Sequence, residues 1–194
     1  MKLSIAVVTL LGLPCLALAG GDEDKTSKKK SDESKPKAPD ELADRVVAMS
    51  GTWTCDGSGA GMDGKSLAFK GTLKSKAELD GHWVHDSFTG TMGDGKSAMK
   101  FGFESYATFD PNLKKWRTLF MDNSGGQMVG LGDPMKDGKL DTTSDGIDMH
   151  GKSTFKDHTD MSDPKKGMHM WGEETRDNGK TWFKIYDMTC KKSQ

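Results

Sequence analysis

Two histidines three residues apart, His82 and His85 in "GHWVHD", are the first candidates for metal chemistry in this sequence. On a regular strand, residues three apart point to opposite faces, so the pair could share an ion only across a bulge. His158 and Asp160 do share a strand face, with Lys156 beside them, but two ligands fall short of the three or four that zinc takes. In "GMHMW", Met168, His169 and Met170 resemble a soft copper-binding set. Strand geometry, however, puts the two thioethers on one face and the imidazole on the other. Methionine is also an adaptable filler of cores and cavities, and that is the role assigned to these two. No metal site is expected.

"TRDNGKTW", residues 175–182, has Thr175, Asp177, Gly179, Thr181 and Trp182 in the places of the Asp-box of sialidase-type propellers. The meaning of that pattern is structural: the carboxylate bonds the loop backbone and the tryptophan packs beneath the hairpin. A propeller would repeat it blade by blade, and here it occurs once. No nucleophile elbow, phosphate loop or closed metal set is present, and no carboxylate pair stands out for acid–base work. The expectation is a protein that is not an enzyme and carries no cofactor.

Charge narrows the partners further. Lys and Arg number 28 against 29 Asp and Glu, a net charge of −1, so no field draws the chain to nucleic acid. The N-terminus has Lys2, an apolar run from Leu3 to Leu18, and Ala17-Leu18-Ala19 before a glycine pair. This is the pattern of a signal peptide cleaved near Ala19, too short and wrongly flanked to be a membrane span. Lipidation at Cys15 is the alternative, disfavoured by Pro14 where a small residue is wanted. Residues 20–38 mix lysines with Asp22, Glu23, Asp24, Asp32 and Glu33 and have almost nothing to bury, so they read as a disordered, charged tether. The domain is residues 39–194, in the periplasm or outside the cell. Loss of the leader leaves Cys55 and Cys190, an even number in an oxidising compartment.

The elements that must position these side chains are marked by turns. One short helix comes first, with Pro39, Asp40 and Glu41 at its start and Leu42, Val46 and Met49 along one face. Then one phrase returns: Asp63-Gly64-Lys65, Asp94-Gly95-Lys96, Asp137-Gly138-Lys139, His150-Gly151-Lys152 and Asn178-Gly179-Lys180. Asp-Gly and Asn-Gly tolerate the positive φ of tight hairpins. With the turns at Asp80-Gly81, Asp110-Pro111-Asn112, Asn123–Gly126 and Asp163–Gly167, nine turns separate ten strands. Period-two patterning fills the gaps, as in Met99, Phe101 and Phe103 against Lys100, Gly102 and Glu104. A ten-stranded antiparallel meander removes its exposed edges by closing into a barrel. Its first and last strands then meet antiparallel, with Cys55 on one and Cys190 on the other, and a disulfide between them would staple the seam.

Gly51-Thr52-Trp53 resembles the Gly-x-Trp signature of lipocalins and other calycins. A longer series, "MSGTWTCDG", "ELDGHWVHDSFTGTMG", "FESYATFDPNLKKWRTLFMDN" and "GKTWFKIYDMTCKK", resembles the bacterial family of domain of unknown function 1579, in order over most of residues 47–192. The resemblance implies an all-β, ten-stranded, up-and-down calycin-like barrel with one short N-terminal helix, often exported and without an assigned activity. It also implies that Trp53 packs at the barrel base under a basic residue from the chain end, Lys192 or Lys191, where arginine is usual. Haem-binding nitrobindin-type barrels are more distant relatives, and no histidine here aligns with their iron ligand.

The functional expectation is a small apolar or amphipathic ligand held in the lumen. The candidate lining residues are Trp53, Met99, Phe101, Phe103, Trp182 and Met188. A lumen filled by its own side chains, in a structural or interaction protein of the envelope, is the alternative, as is a haem- or metal-binding barrel. The oligomeric state is open.

Overall fold

A computed structural model describes residues 37–61, 65–163 and 165–193, the side chain of Ser97 aside. The leader, Cys15 and the tether up to residue 36 lie outside the described residues. Chain order is α1 (Asp40–Met49), β1 (Gly51–Ala60), β2 (Ser66–Glu78), β3 (Trp83–Met92), β4 (Met99–Asp110) and β5 (Lys115–Asp122). There follow β6 (Gln127–Gly132), β7 (Lys139–Asp148), β8 (Gly151–Asp160), β9 (Met168–Thr175) and β10 (Phe183–Lys192). Each strand pairs antiparallel with the next, and β1 pairs with β10, so the sheet is a closed, ten-stranded, up-and-down barrel. No helix among the described residues is long and apolar enough to cross a membrane.

The turn chemistry read from sequence is what closes the hairpins. At Asp137-Gly138 and Asn178-Gly179 both residues take positive φ, which asparagine and aspartate tolerate and glycine adopts freely. The seam runs in register from Trp53↔Lys192 to Gly59↔Tyr186 and places Cys55 directly opposite Cys190, to which it is disulfide-bonded.

Helix α1 plugs one end, the base. Its buried residues are Leu42, Arg45 and Met49, and Val46 packs partly buried against the same core as expected, so a buried arginine joins the apolar stripe. Leu42 packs with Val84, Ala107, Phe109, Trp116 and Leu140, and Met49 packs with Trp53, Leu73 and Met168. Two apolar clusters thus seal the base, joined through the helix. Trp53 lies there, 7% exposed, its indole Nε1 donating to the Met49 carbonyl at 2.7 Å. The Lys192 ammonium sits 5.4 Å from the ring centre, a cation over an aromatic face where the calycin resemblance expects a basic residue.

Candidate functional site

Above the plug the barrel is hollow. The cavity has a volume of about 730 Å³ and opens at the end opposite α1. One wall is aromatic. Phe69, Phe88, Phe103 and Phe120, from β2, β3, β4 and β5, form a chain with ring centres 4.8, 5.3 and 5.0 Å apart, and Phe101 tilts against Phe69 at 5.5 Å. This wall exists because Gly71 and Gly90 face each other across β2 and β3 under the Phe88 ring. A Cβ at Gly71 would come within 2.3 Å of Phe88 Cζ, so only glycine lets the ring lie on the sheet. Gly172 serves Tyr186 in the same way, at 2.3 Å from the ring edge.

The facing wall carries the polar groups, Thr142 and Ser144 from β7, Asp157 and Thr159 from β8 and Tyr186 from β10, set among Leu140, Phe155, Met170 and Met188. The Tyr186 hydroxyl donates to Asp157 Oδ1 at 3.0 Å. Burial pushes the Asp157 carboxyl above the ordinary carboxylate range, opposed by that hydrogen bond, and burial beside the aspartate pushes the phenol well up too. The folded carboxyl therefore keeps its proton to higher pH than the unfolded one. Folding takes up a proton in that window, and stability falls as pH rises from the unfolded carboxylate value through the folded one. Asp157→Asn, which can still accept from Tyr186, removes this decline. Denaturant midpoints measured from pH 4 to 7 should show the variant gaining on the wild type as pH rises; parallel profiles would contradict the assignment.

The floor carries charge. Arg45 reaches up from α1, with Nη2 3.5 Å from Asp86 Oδ2, and Ser105 Oγ donates to the same oxygen at 3.5 Å. The guanidinium lies 4.8 Å over the Trp116 ring. Burial pulls Arg45 below its ordinary value while Asp86 holds it up. Among the described residues, Arg45 Nε and Nη1, Asp86 Oδ1, Ser75 Oγ and Trp116 Nε1 have no hydrogen-bond partner. Such an incompletely paired group is uncommon in a closed core.

Of the six residues assigned to the lumen from sequence, Phe101, Phe103 and Met188 line the cavity. Three do not. Trp53 faces inward but lies below the floor, in the base cluster. Met99 has the parity of Phe101, yet as the first residue of β4 it stands at the rim, half exposed. Trp182 is displaced by a register shift between Lys184 and Tyr186. The extra residue reverses side-chain parity, so Trp182 turns outward under the Lys156 ammonium, 4.0 Å away. Arg45, Asp86, Asp157 and Tyr186 were not singled out; the spacing Leu42-x-x-Arg45-x-x-x-Met49, which sets an arginine in an apolar stripe, was the available sign of the first.

His150 is at the cavity's rim, and three other histidines go elsewhere. His85 is outside the barrel, stacked 4.4 Å from Tyr106, with Nδ1 3.3 Å from Glu78 and Nε2 2.5 Å from Glu104. His158 bonds Asp141 at 2.6 Å, while Asp160 turns to Ser162, so the two do not converge. His169 bonds Asp187, opposite in face to Met168 in the base core and Met170 in the lumen. No group of three His, Cys, Asp or Glu that could hold a metal ion is gathered among the described residues. In the Asp-box, Asp177 accepts from Thr175 Oγ1, Lys180 N and Thr181 N at 2.8–3.0 Å. Hydrogen bonds from Thr181 above all hold its carboxyl down at about 2.

In three dimensions the chain is similar to the S-type phycobiliprotein lyase CPES from Guillardia theta. The TM-score is 0.56 and the identity 10%, over 79% of this chain and 93% of that one. At that identity the likeness speaks for the calycin-like barrel fold. No curated protein matches the sequence. The family described as "Protein of unknown function (DUF1579)" matches residues 39–192, from the first turn of the plug to the last residue of β10. Helix, barrel, stapled seam and lumen all fall within that span, and the chain belongs to the DUF1579 family.

Proposed function

We propose that this protein is an exported carrier that holds a small amphipathic molecule in its lumen and catalyses no reaction on it. The observation that carries the reading is the two-faced cavity of about 730 Å³, with phenylalanines on one wall and Thr142, Ser144, Asp157 and Tyr186 on the other. That volume is in the range of small-molecule sites, which are mainly apolar with a few placed polar groups. The incompletely paired Arg45–Asp86 floor supplies donors and an acceptor for a polar end. The solved neighbour is a phycobiliprotein lyase, so a barrel of this shape serves a lyase in at least one other protein. The polar residues here form two separate groups, Asp157 with Tyr186 on the wall and Arg45 with Asp86 and Ser105 at the floor, which suits gripping a ligand at two points and favours holding over turnover. A haem or metal reading has less support: His85, His158 and His169 are engaged by carboxylates on the outer surface, and His150, which lines the cavity, is not part of any group of three metal-ligating side chains among the described residues.

Burying about 200 Å² of ligand apolar surface yields roughly 5 kcal/mol before the costs of association, which by itself corresponds to a dissociation constant of about 0.2 mM. A fluorescent apolar probe titrated into the wild type should therefore bind measurably, with a dissociation constant in the range of about 0.1–1 mM. Phe101→Asp should weaken it at least about a hundredfold by placing a charge on the apolar wall. Thr142→Trp, which fills the cavity, should block it as well, and His82→Ala/His85→Ala should leave it unchanged. A probe that ignores the wild type, or binds Phe101→Asp and Thr142→Trp as well as the wild type, would overturn the reading.

A further inference from the structure

The Gly-Lys turns are not spread evenly over the barrel. Four of the five repeats fall at the open end, in the β1–β2, β3–β4, β7–β8 and β9–β10 connections, and only Asp137-Gly138-Lys139 falls at the base. Each puts a lysine on the rim: Lys65, Lys96, Lys152 and Lys180, all exposed. Acidic side chains at three of the rim turns are directed differently. Asp122 accepts from the backbone N–H groups of Ser124 and Gly126, Asp148 from His150 N and Arg176, and Asp177 from Lys180 N and Thr181 N. These three carboxylates are folded back into the turns that they shape, while Lys96, Lys152 and Lys180 stand exposed.

Between the lysines stand apolar side chains. Met149 is 66% exposed and Phe183 64%, and Met99 and Met121 are each 45% exposed. All four adjoin the opening: Met149 is next to His150, Phe183 pairs with Glu174, Met99 pairs with Met92 and Met121 pairs with Gln127, and each of those neighbours lines the cavity. On the two strands that flank β6 the cavity lining runs over onto Leu119 and Ile147, whose strand parity is outward. An apolar path thus leads from the aromatic wall to the outside.

Lysines alternating with exposed methionine and phenylalanine are what a protein presents to the boundary of a lipid layer: apolar tips enter among the acyl chains while the cations meet anionic headgroups. We propose that the barrel docks mouth-first on an anionic lipid surface, with this rim as the contact. Docked so, the apolar path past Leu119 and Ile147 leads from the lumen to the layer, and an amphipathic ligand passes between them without crossing water. The docking itself does not depend on the carrier reading, which concerns what the lumen holds.

The test is co-sedimentation with vesicles, using the protein as purified after export. Wild type should sediment with vesicles of equal parts phosphatidylcholine and phosphatidylglycerol, less so with phosphatidylcholine alone, and less as salt rises. Lys96→Ser/Lys152→Ser/Lys180→Ser should weaken the partition about a hundredfold, and Met149→Ser/Phe183→Ser at least about tenfold. Both variants should keep the wild-type melting temperature and probe affinity in solution, which separates loss of docking from loss of the fold or the lumen site. Wild-type protein that stays in the supernatant with the anionic vesicles overturns the inference. So do variants that sediment as the wild type does, which would assign the binding to another part of the chain.

Discussion

Replacement of both Cys55 and Cys190 by alanine is expected to cost about 3–5 kcal/mol of unfolding free energy. The bridge closes a loop of 135 residues, and the chain-entropy relation gives about 5 kcal/mol as its upper value at that length. Domains of this size have roughly 5–15 kcal/mol in total, so the loss is a large fraction of what there is. In melting temperature it amounts to about 10 °C or more. The dependence on the bridge follows from composition: only 34% of the residues are hydrophobic, and a lumen left open forgoes the buried contacts that a filled barrel would make. Urea titration of the double variant, with reduced wild type alongside, measures the effect. A loss below about 1 kcal/mol would mean that the β1–β10 ladder holds the seam without help.

The second large effect is at the floor. Arg45→Ala should destabilise by about 3–5 kcal/mol, because Asp86 is then left buried with no cation. Asp86 is 5% exposed, and its remaining partner among the described residues is the Ser105 hydroxyl at 3.5 Å. Losing the guanidinium also uncovers the Trp116 face on which it lies. The pair is not expected to be a net source of stability, since its desolvation cost offsets its attraction. Arg45→Met/Asp86→Leu should accordingly recover most of the loss and come within about 1 kcal/mol of the wild type. The contrast between the single and double variants is the informative measurement. A harmless Arg45→Ala would show that water in the lumen solvates Asp86 adequately. A double variant as unstable as the single one would show instead that the pair positions α1 in the base of the barrel.

Legibility in the sequence followed chemistry that is local. Asp137-Gly138 and Asn178-Gly179 advertise their turns because few other residues accept two positive φ values in succession. The count of turns gave the count of strands, and an even count brought Cys55 to Cys190. Parity read from Phe101 and Phe103 held along β4 because that strand is regular. It failed for Trp182 because the shift before Tyr186 involves neither glycine nor proline, only Lys184 and Ile185, and so leaves no mark on the pattern. The site was harder. Arg45 and Asp86 are 41 residues apart and meet only when α1 enters the barrel, and Asp157 and Tyr186 meet across β9, separated by 29 residues. Charged residues are read as solvated unless something local says otherwise, and here the reason for burial lay in a distant element.

The order in which the strands are joined has a consequence for how the protein acquires its shape. Nine of the ten strand pairings link neighbours along the chain and can form as hairpins; the tenth, β1 with β10, joins the two ends of the domain. Loop-closure entropy makes that last pairing the most demanding one for an unbridged chain. Until it forms, the sheet is an open ribbon with two free edges, and the phenylalanine wall faces solvent or a neighbouring chain. The cavity comes into being only at that final step. A newly made chain would therefore be at its most vulnerable to edge-to-edge association just before it becomes able to hold a ligand at all.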